Sequence, residues 1–488
     1  MNNREEGKVV EMSGDDLYKQ AVNILLEGKD IPKAMHFFNL LYNHSIKDKK
    51  YSDTILFHIG SCAQKMGYSG MAALAFNHCI GMKENFHEAY NNLGCIYKNE
   101  LLEDEAKAHF AKAFEIATNK SDASQKDRGE YVMNLGSMYI GTGTPHKALE
   151  YFNESEKIFK DNDMNHWNRS LAYFEIGDYA KGFDEYDSGE RVRDRMTHRD
   201  FGLKDLPFWD GKPDKNKTVV LSGEQGLGDE IMFASMIPDA IRDTNIIIEA
   251  HPRLADLFRL NFPHVPVYGT RKDPSMMWPP FHKIDARLAM GSLGKFYRRT
   301  KESFPGMPYL FADPKRVIKY ASKLKTMGNR PKIGISWRGG NIETGKLNRY
   351  VPLELLLPLL RLDADFISLQ YDKNIYPKIK EFEDKHGVAL NHWQDMIDNY
   401  DETAALVSNL DLIISVPQSV IHLAGALGTP TWQLAPYKAL WQVGVHGEDP
   451  PWYKCVKNIW QDESCKWEPV IEKTRNELCS LLQKLTVN

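Results

Sequence analysis

Between residues 222 and 230 the chain reads Ser-Gly-Glu-Gln-Gly-Leu-Gly-Asp-Glu, after the β-branched run at 218–221 and before an apolar-periodic stretch from Ile231 to Ile241. Gly226 and Gly228 remove side chains where the backbone N–H groups of a helix start can approach a ligand. Asp229 falls in the first turn of that helix, facing the crevice at the strand ends. A carboxylate there is ordinary helix-start chemistry, and it is also placed to take a proton from a hydroxyl. The turn does not follow the GxGxxG order, so a dinucleotide site is not supported. A second set of groups follows. Trp337 closes the run KIGISW, and Arg338, Lys346 and Arg349 follow in the next loop. These cations can neutralise a diphosphate or stand as plain surface charges. Gln370 and Tyr371 end the run DFISLQY, where they can meet a nucleobase edge. Gln418 and Ser419 lie in the turn SVPQS, before a helix carrying His422 whose first amides suit phosphate oxygens. His422 lies on an apolar helix face, a common setting for a core histidine.

These groups meet only if two parallel sheets position them. Short apolar runs alternate with amphipathic stretches from 217 to 325 and again from 326 to 470, the pattern of sheets covered by helices on both faces. The sequence therefore predicts two Rossmann-like lobes joined near residue 326, with a cleft between them and a C-terminal helix at 471–488. A segment at 191–216, rich in Pro, Gly and mixed charge, reads as a linker.

Ahead of it, residues 15–190 repeat with a period of 34: Gly60 and Gly94 start the same template, with Ala72 and Phe76 after the first and Ala106, Phe110 and Ala113 after the second. Gly136, Tyr139, Ala148 and Phe152 set a third copy after an insertion around NKSDASQKDR. Weaker copies flank these, near Ala21 and Phe38 and near Trp167 and Tyr186. Small residues where two helices cross and aromatics that fill the gap encode a helical hairpin. The positions resemble the tetratricopeptide repeat, about five in number, and on this reading they are packing positions. A partner would bind in the groove of the stacked first helices.

Composition excludes other classes. With 62 basic and 66 acidic residues the formal charge is -4, so no global field favours nucleic acid. No long apolar run predicts a membrane span, and MNNREEGKVVEMSGDD lacks a targeting pattern, so the expected location is the cytoplasm. The six cysteines form no CxxC pair or zinc spacing, so reduced thiols and no metal are expected.

Taken in order, GEQGLGDEIMFASMIP, GISWRGG with LNRYVPLELL, DETAALVSNLDLIISV and SVIHLAGALGTPTWQL resemble bacterial proteins that fuse tetratricopeptide repeats to a heptosyltransferase-like (family 9) glycosyltransferase domain. The likeness runs from about Tyr179 to Trp467. The eukaryotic O-linked N-acetylglucosamine transferase has a related layout with less similar motifs. The resemblance implies an α + α/β chain, an all-α repeat solenoid followed by a GT-B pair of lobes. It implies an inverting transfer from a nucleoside diphosphate sugar without cofactor or metal, with Asp229 as general base. It carries donor diphosphate binding over to Lys346, Arg349, Ser419 and His422. One departure stands out: relatives read S-V-D-T-S where this chain reads Ser415-Val416-Pro417-Gln418-Ser419. An acidic residue and, at Pro417, an amide donor are thereby lost. A repeat-based scaffold with degenerate lobes is the second reading. A glycosyltransferase acting on nucleic-acid bases is the third, opposed by the near-neutral charge.

Overall fold

The structure, a computed structural model, describes residues 13–48, 52–120, 123–192, 203, 205–224, 226–271, 273, 277–339, 349–372 and 374–487. It divides into two compact units, Met1–Met138 with Glu150–Lys160, and Tyr139–Leu149 with Asp161–Asn488.

The first unit is built from helical hairpins: α1 (Gly14–Glu27) with α2 (Ile31–Asp48), α3 (Ser52–Lys65) with α4 (Ser69–Met82), and α5 (His87–Asn99) with α6 (Glu103–Asn119). After them come α7 (Gln125–Ser137) and α8 (Pro145–Ile158), of which the part from Glu150 on belongs to this unit. The period has a direct steric cause. A Cβ added to Gly60 would lie 2.8 Å from the Phe76 ring, one on Gly94 2.6 Å from Phe110, and one on Gly136 2.7 Å from Phe152. Each aromatic thus lies on the Cα of a glycine one helix earlier, and only glycine permits that approach. After the insertion, α7 restarts with a capping box. Ser124 Oγ accepts the Asp127 N–H at 3.0 Å, and Asp127 Oδ2 accepts the Ser124 N–H at 3.3 Å.

The last hairpin, α9 (Asp163–Glu175) with α10 (Tyr179–Tyr186), belongs to the second unit. Here the roles are exchanged, because the glycine, Gly182, is on the second helix and the aromatic, Phe174, on the first. Phe174, Phe183 and Tyr186 share one core with Ile231, Phe233 and Leu293 of the α/β region. The boundary between compact units therefore falls inside the helical array, not at 191–216. The described part of that segment is itself packed: Leu203 is buried against Val220 and Ile247, and the Trp209 N–H donates to the Arg287 carbonyl at 3.0 Å.

Two all-parallel sheets follow. In the first, β1 (Asp214–Ser222), β2 (Thr244–Glu249), β3 (Val267–Tyr268) and β4 (Ala286–Ala289) lie in the order β3-β2-β1-β4. In the second, β5 (Lys332–Ser336), β6 (Asp365–Ser368), β7 (Leu412–Ser415), β8 (Thr431–Ala435) and β9 (Val456–Trp460) lie in the order β6-β5-β7-β8-β9. Strand order reverses beside β1 and beside β5, the switch points at which such sheets open a crevice. The fold is thus a tetratricopeptide-like run of helices followed by two Rossmann-like lobes. The helix Pro314–Lys325 packs on Tyr400–Val407 of the second lobe through the Arg316–Glu402 ion pair and Lys319 to Glu402 at 2.7 Å. Even earlier, the N–H groups of Tyr309 and Leu310 donate to the Ala426 carbonyl. No helix among the described residues is long and apolar enough to cross a membrane.

Candidate functional site

The glycine turn after β1 leads into the helix Leu227–Ala234, whose N-cap is Gly226. Gly226 has extended backbone and no capping side chain. A Cβ there would lie 2.7 Å from Asp229 Oδ2, so the carboxylate folds back over the glycine Cα. Across the cleft the helix Ser419–Leu427 begins after Gln418, again with no side-chain cap. The two helix starts meet at Gly228, where a Cβ would lie 2.8 Å from His422 Cδ2 and 3.4 Å from Ser419 Cα. First-turn amides from both lobes therefore converge on one cleft of about 630 Å³.

Eight of the residues expected from the sequence line that cleft: Gly226, Gly228, Asp229, Arg349, Tyr371, Gln418, Ser419 and His422. Arg349 is drawn below its usual range by burial, with Tyr371 and Asp229 pulling the other way as negative partners. His422 is lowered to about 4 by burial and stays neutral at physiological pH, with its Nδ1 3.1 Å from the Tyr453 hydroxyl. It is therefore a hydrogen-bonding wall residue and not a cation. Tyr453 carries the contact inward, its ring lying against the Gly425 Cα.

Three expected contacts are elsewhere. Trp337 is 3% exposed and packs in the second-lobe core with Ile335 and Val351. Gln370 is buried beneath the loop. Its Oε1 accepts from the Ser336 hydroxyl and from the Trp337 and Arg338 N–H groups at 3.0, 3.4 and 3.2 Å, while its Nε2 donates to the Arg338 carbonyl at 3.0 Å. With both ends of the amide engaged, Gln370 braces the loop after β5 and has no edge to offer a base. Arg338 lies 3.8 Å from Asp372, outside the cleft lining. Lys346 lies outside the described residues. Gln418 is on the wall, but its Nε2 is bonded to Ser336 Oγ and, at 3.2 Å, to Ser415 Oγ. The altered turn thus ties itself to the ends of β5 and β7. Pro417 contributes its carbonyl, which a Cβ on Gly339 would meet at 2.4 Å.

Sequence reading missed three residues on the first-lobe side of the wall. His251, Arg253 and Arg271 follow β2 and β3, and Arg253 lies 5.2 Å over the Tyr400 ring of the second lobe. Arg271 pairs with the buried Glu230. Their signal was faint, single residues just past the ends of predicted strands, where an α/β sheet places its ligands. Gln433 and Gln442 also line the cleft, and Gln442 Nε2 donates to Asp229 Oδ1 at 3.1 Å.

Residues 87–120, which span α5 and α6, match the tetratricopeptide repeat family. Over 474 residues the chain is 26% identical to Protein FlbA of Caulobacter vibrioides, an alignment covering 86% of this chain and 77% of that protein. Among solved structures, the ADP-heptose lipopolysaccharide heptosyltransferase II of E. coli aligns over 55% of this chain and 99% of its own, with 15% identity and a TM-score of 0.41. PilF of Pseudomonas aeruginosa aligns over 38% of this chain and 78% of its own, with 14% identity and a TM-score of 0.32.

Proposed function

We propose that the protein is an inverting, metal-independent glycosyltransferase that uses a nucleoside diphosphate sugar. The observation that carries the reading is the convergence in one cleft of Asp229, two uncapped helix starts and Arg349. Asp229 takes the proton of an acceptor hydroxyl as that oxygen attacks the anomeric carbon, and the bond to the diphosphate breaks on the opposite face. The charge developing on the diphosphate is met by the amides at Ser419 and by the Arg349 guanidinium. The acceptor is a hydroxyl-bearing molecule whose class is left open, a protein recruited by the repeats being one candidate, and the site of action is the cytoplasm.

Asp229→Asn keeps the shape of the side chain and removes its basicity, so transfer should fall by at least about a hundredfold. Full transfer by this variant would remove Asp229 from the role. A second reading, a scaffold with inert lobes, is favoured by the Gln418 side chain being bound to Ser336 and Ser415. Thermal-shift titration with UDP-, GDP-, ADP-, CMP- and dTDP-sugars separates the two, because an enzyme is stabilised by one of them and an inert scaffold by none.

A further inference from the structure

The loop between β8 and β9 supplies a group that this mechanism does not yet use. Gln442 lies in the turn Trp441–Val443 and donates from Nε2 to Asp229 Oδ1 at 3.1 Å. Chemistry fixes which end of the amide faces the aspartate, because a carboxylate only accepts and a flipped carboxamide would oppose two acceptors. With the nitrogen so engaged, Gln442 Oε1 is buried and has no hydrogen-bond partner among the described residues. A buried amide oxygen without a donor is costly and calls for a purpose.

The turn is held in register with the helix that carries the aspartate. Trp441 has its ring 4.7 Å from Phe174 of α9 and stacked 6.0 Å from Phe233. Phe233 is one helical turn beyond Asp229, so the indole measures the turn against that same helix. From behind, Asn458 Nδ2 donates to the Val443 carbonyl at 3.0 Å and ties the turn to β9.

We propose that Gln442 positions the base: Nε2 holds the Asp229 carboxylate toward the acceptor, at the cost of leaving Oε1 buried without a donor. The inference deepens the transferase reading and rests on Asp229 being its base. Among the described residues, the charged and titratable groups around Asp229 include Arg349 and Tyr453, which interact with it directly, and His251, Arg253, Arg271 and His422 on the same cleft wall. A substitution at 442 leaves all of these in place, so a changed Asp229 titration reports the carboxamide.

The test uses the full chain with 13C-carboxyl-labelled aspartate, the Asp229 signal being the one lost in Asp229→Asn. Gln442→Met keeps the length and removes both polar ends, and the Asp229 midpoint is expected to rise by about one pH unit. Gln442→Glu should raise it further, since two carboxylates then share one site. An unmoved midpoint in variants with unchanged thermal unfolding overturns the proposal. A moved titration together with full transfer by Asp229→Asn would keep Gln442 as the partner of Asp229 and retire the base.

Discussion

At the scale of single residues, the glycines of the first-lobe turn separate two functions that lie within three positions. A methyl on Gly226 meets only the Asp229 carboxylate, at 2.7 Å, whereas one on Gly228 meets His422 and the Ser419 backbone. Gly226→Ala should therefore displace the base and lower transfer with little loss of stability. Gly228→Ala should cost about 1–3 kcal/mol by overpacking the seam between lobes and should weaken nucleotide binding as well. Thermal unfolding and nucleotide titration of the two variants, side by side, check the contrast. A third prediction concerns Glu230, fully buried next to Asp229 in sequence. Burial pushes its carboxyl up to about 8; Arg271 and the His251 N–H, at 2.8 Å, oppose the rise, and the carboxylates of Glu224 and Glu249 add to it. The folded chain thus holds a proton that the unfolded chain releases near 4.5. Between those values the native state binds more protons, so stability falls as pH rises toward 8 and levels off above it, by at most about 1.4 kcal/mol per pH unit. Glu230→Gln should flatten that dependence, read as the difference in denaturant midpoint between pH 6 and pH 9.

At the scale of elements, the helix pairs α3–α4, α5–α6 and α7–α8 each have one glycine under one ring. Gly94→Ala would drive a Cβ to 2.6 Å from the Phe110 ring, within helices packed on both sides. The expected cost is about 1–3 kcal/mol, with faster amide exchange across α5 and α6 than in the second unit. The Trp441–Val443 turn is the corresponding element of the catalytic unit. It has three residues, and beside its own short-range backbone bonds and the Asn458 tie it is held by the Trp441 ring against Phe174 and Phe233. Trp441→Ala should destabilise the unit by about 3 kcal/mol and lower transfer more than it lowers nucleotide binding, because the turn reaches Asp229 and not the phosphate-facing amides. Nucleotide affinity and transfer rate measured on one preparation test that split.

For the whole molecule, the compact units predict where the chain can be cut. Phe174, Tyr179, Phe183 and Tyr186 are buried in the core that also holds Phe233 and Leu293. Each such ring contributes about 1.5–3 kcal/mol by burial, so their sum rivals the net stability of a typical domain. A chain beginning at Tyr139 should keep one cooperative unfolding transition, and a chain beginning at Arg191 should lose it, as followed by calorimetry. Composition alone favours the cut at 191, where charged and turn-forming residues gather, because composition reports solvation of the loop and not what the preceding helices pack against.

Local pattern was enough for the helical period, for the alternation that gives both parallel sheets, and for Gly226, Gly228 and Asp229 at a helix start. Each of these is dictated by neighbours within a few residues or by one repeating steric contact. Arg349, Ser419 and His422 were also legible, as groups near strand ends or a helix start, where α/β sheets bind ligands. Only the tertiary structure sent Trp337 and Gln370 into the core beneath the cleft, and only it brought Gln442 to Asp229 from 213 residues away. An amide looks the same in sequence whether it faces a ligand, a loop or a carboxylate. Its role is set by which donors and acceptors the two closed lobes leave within its reach.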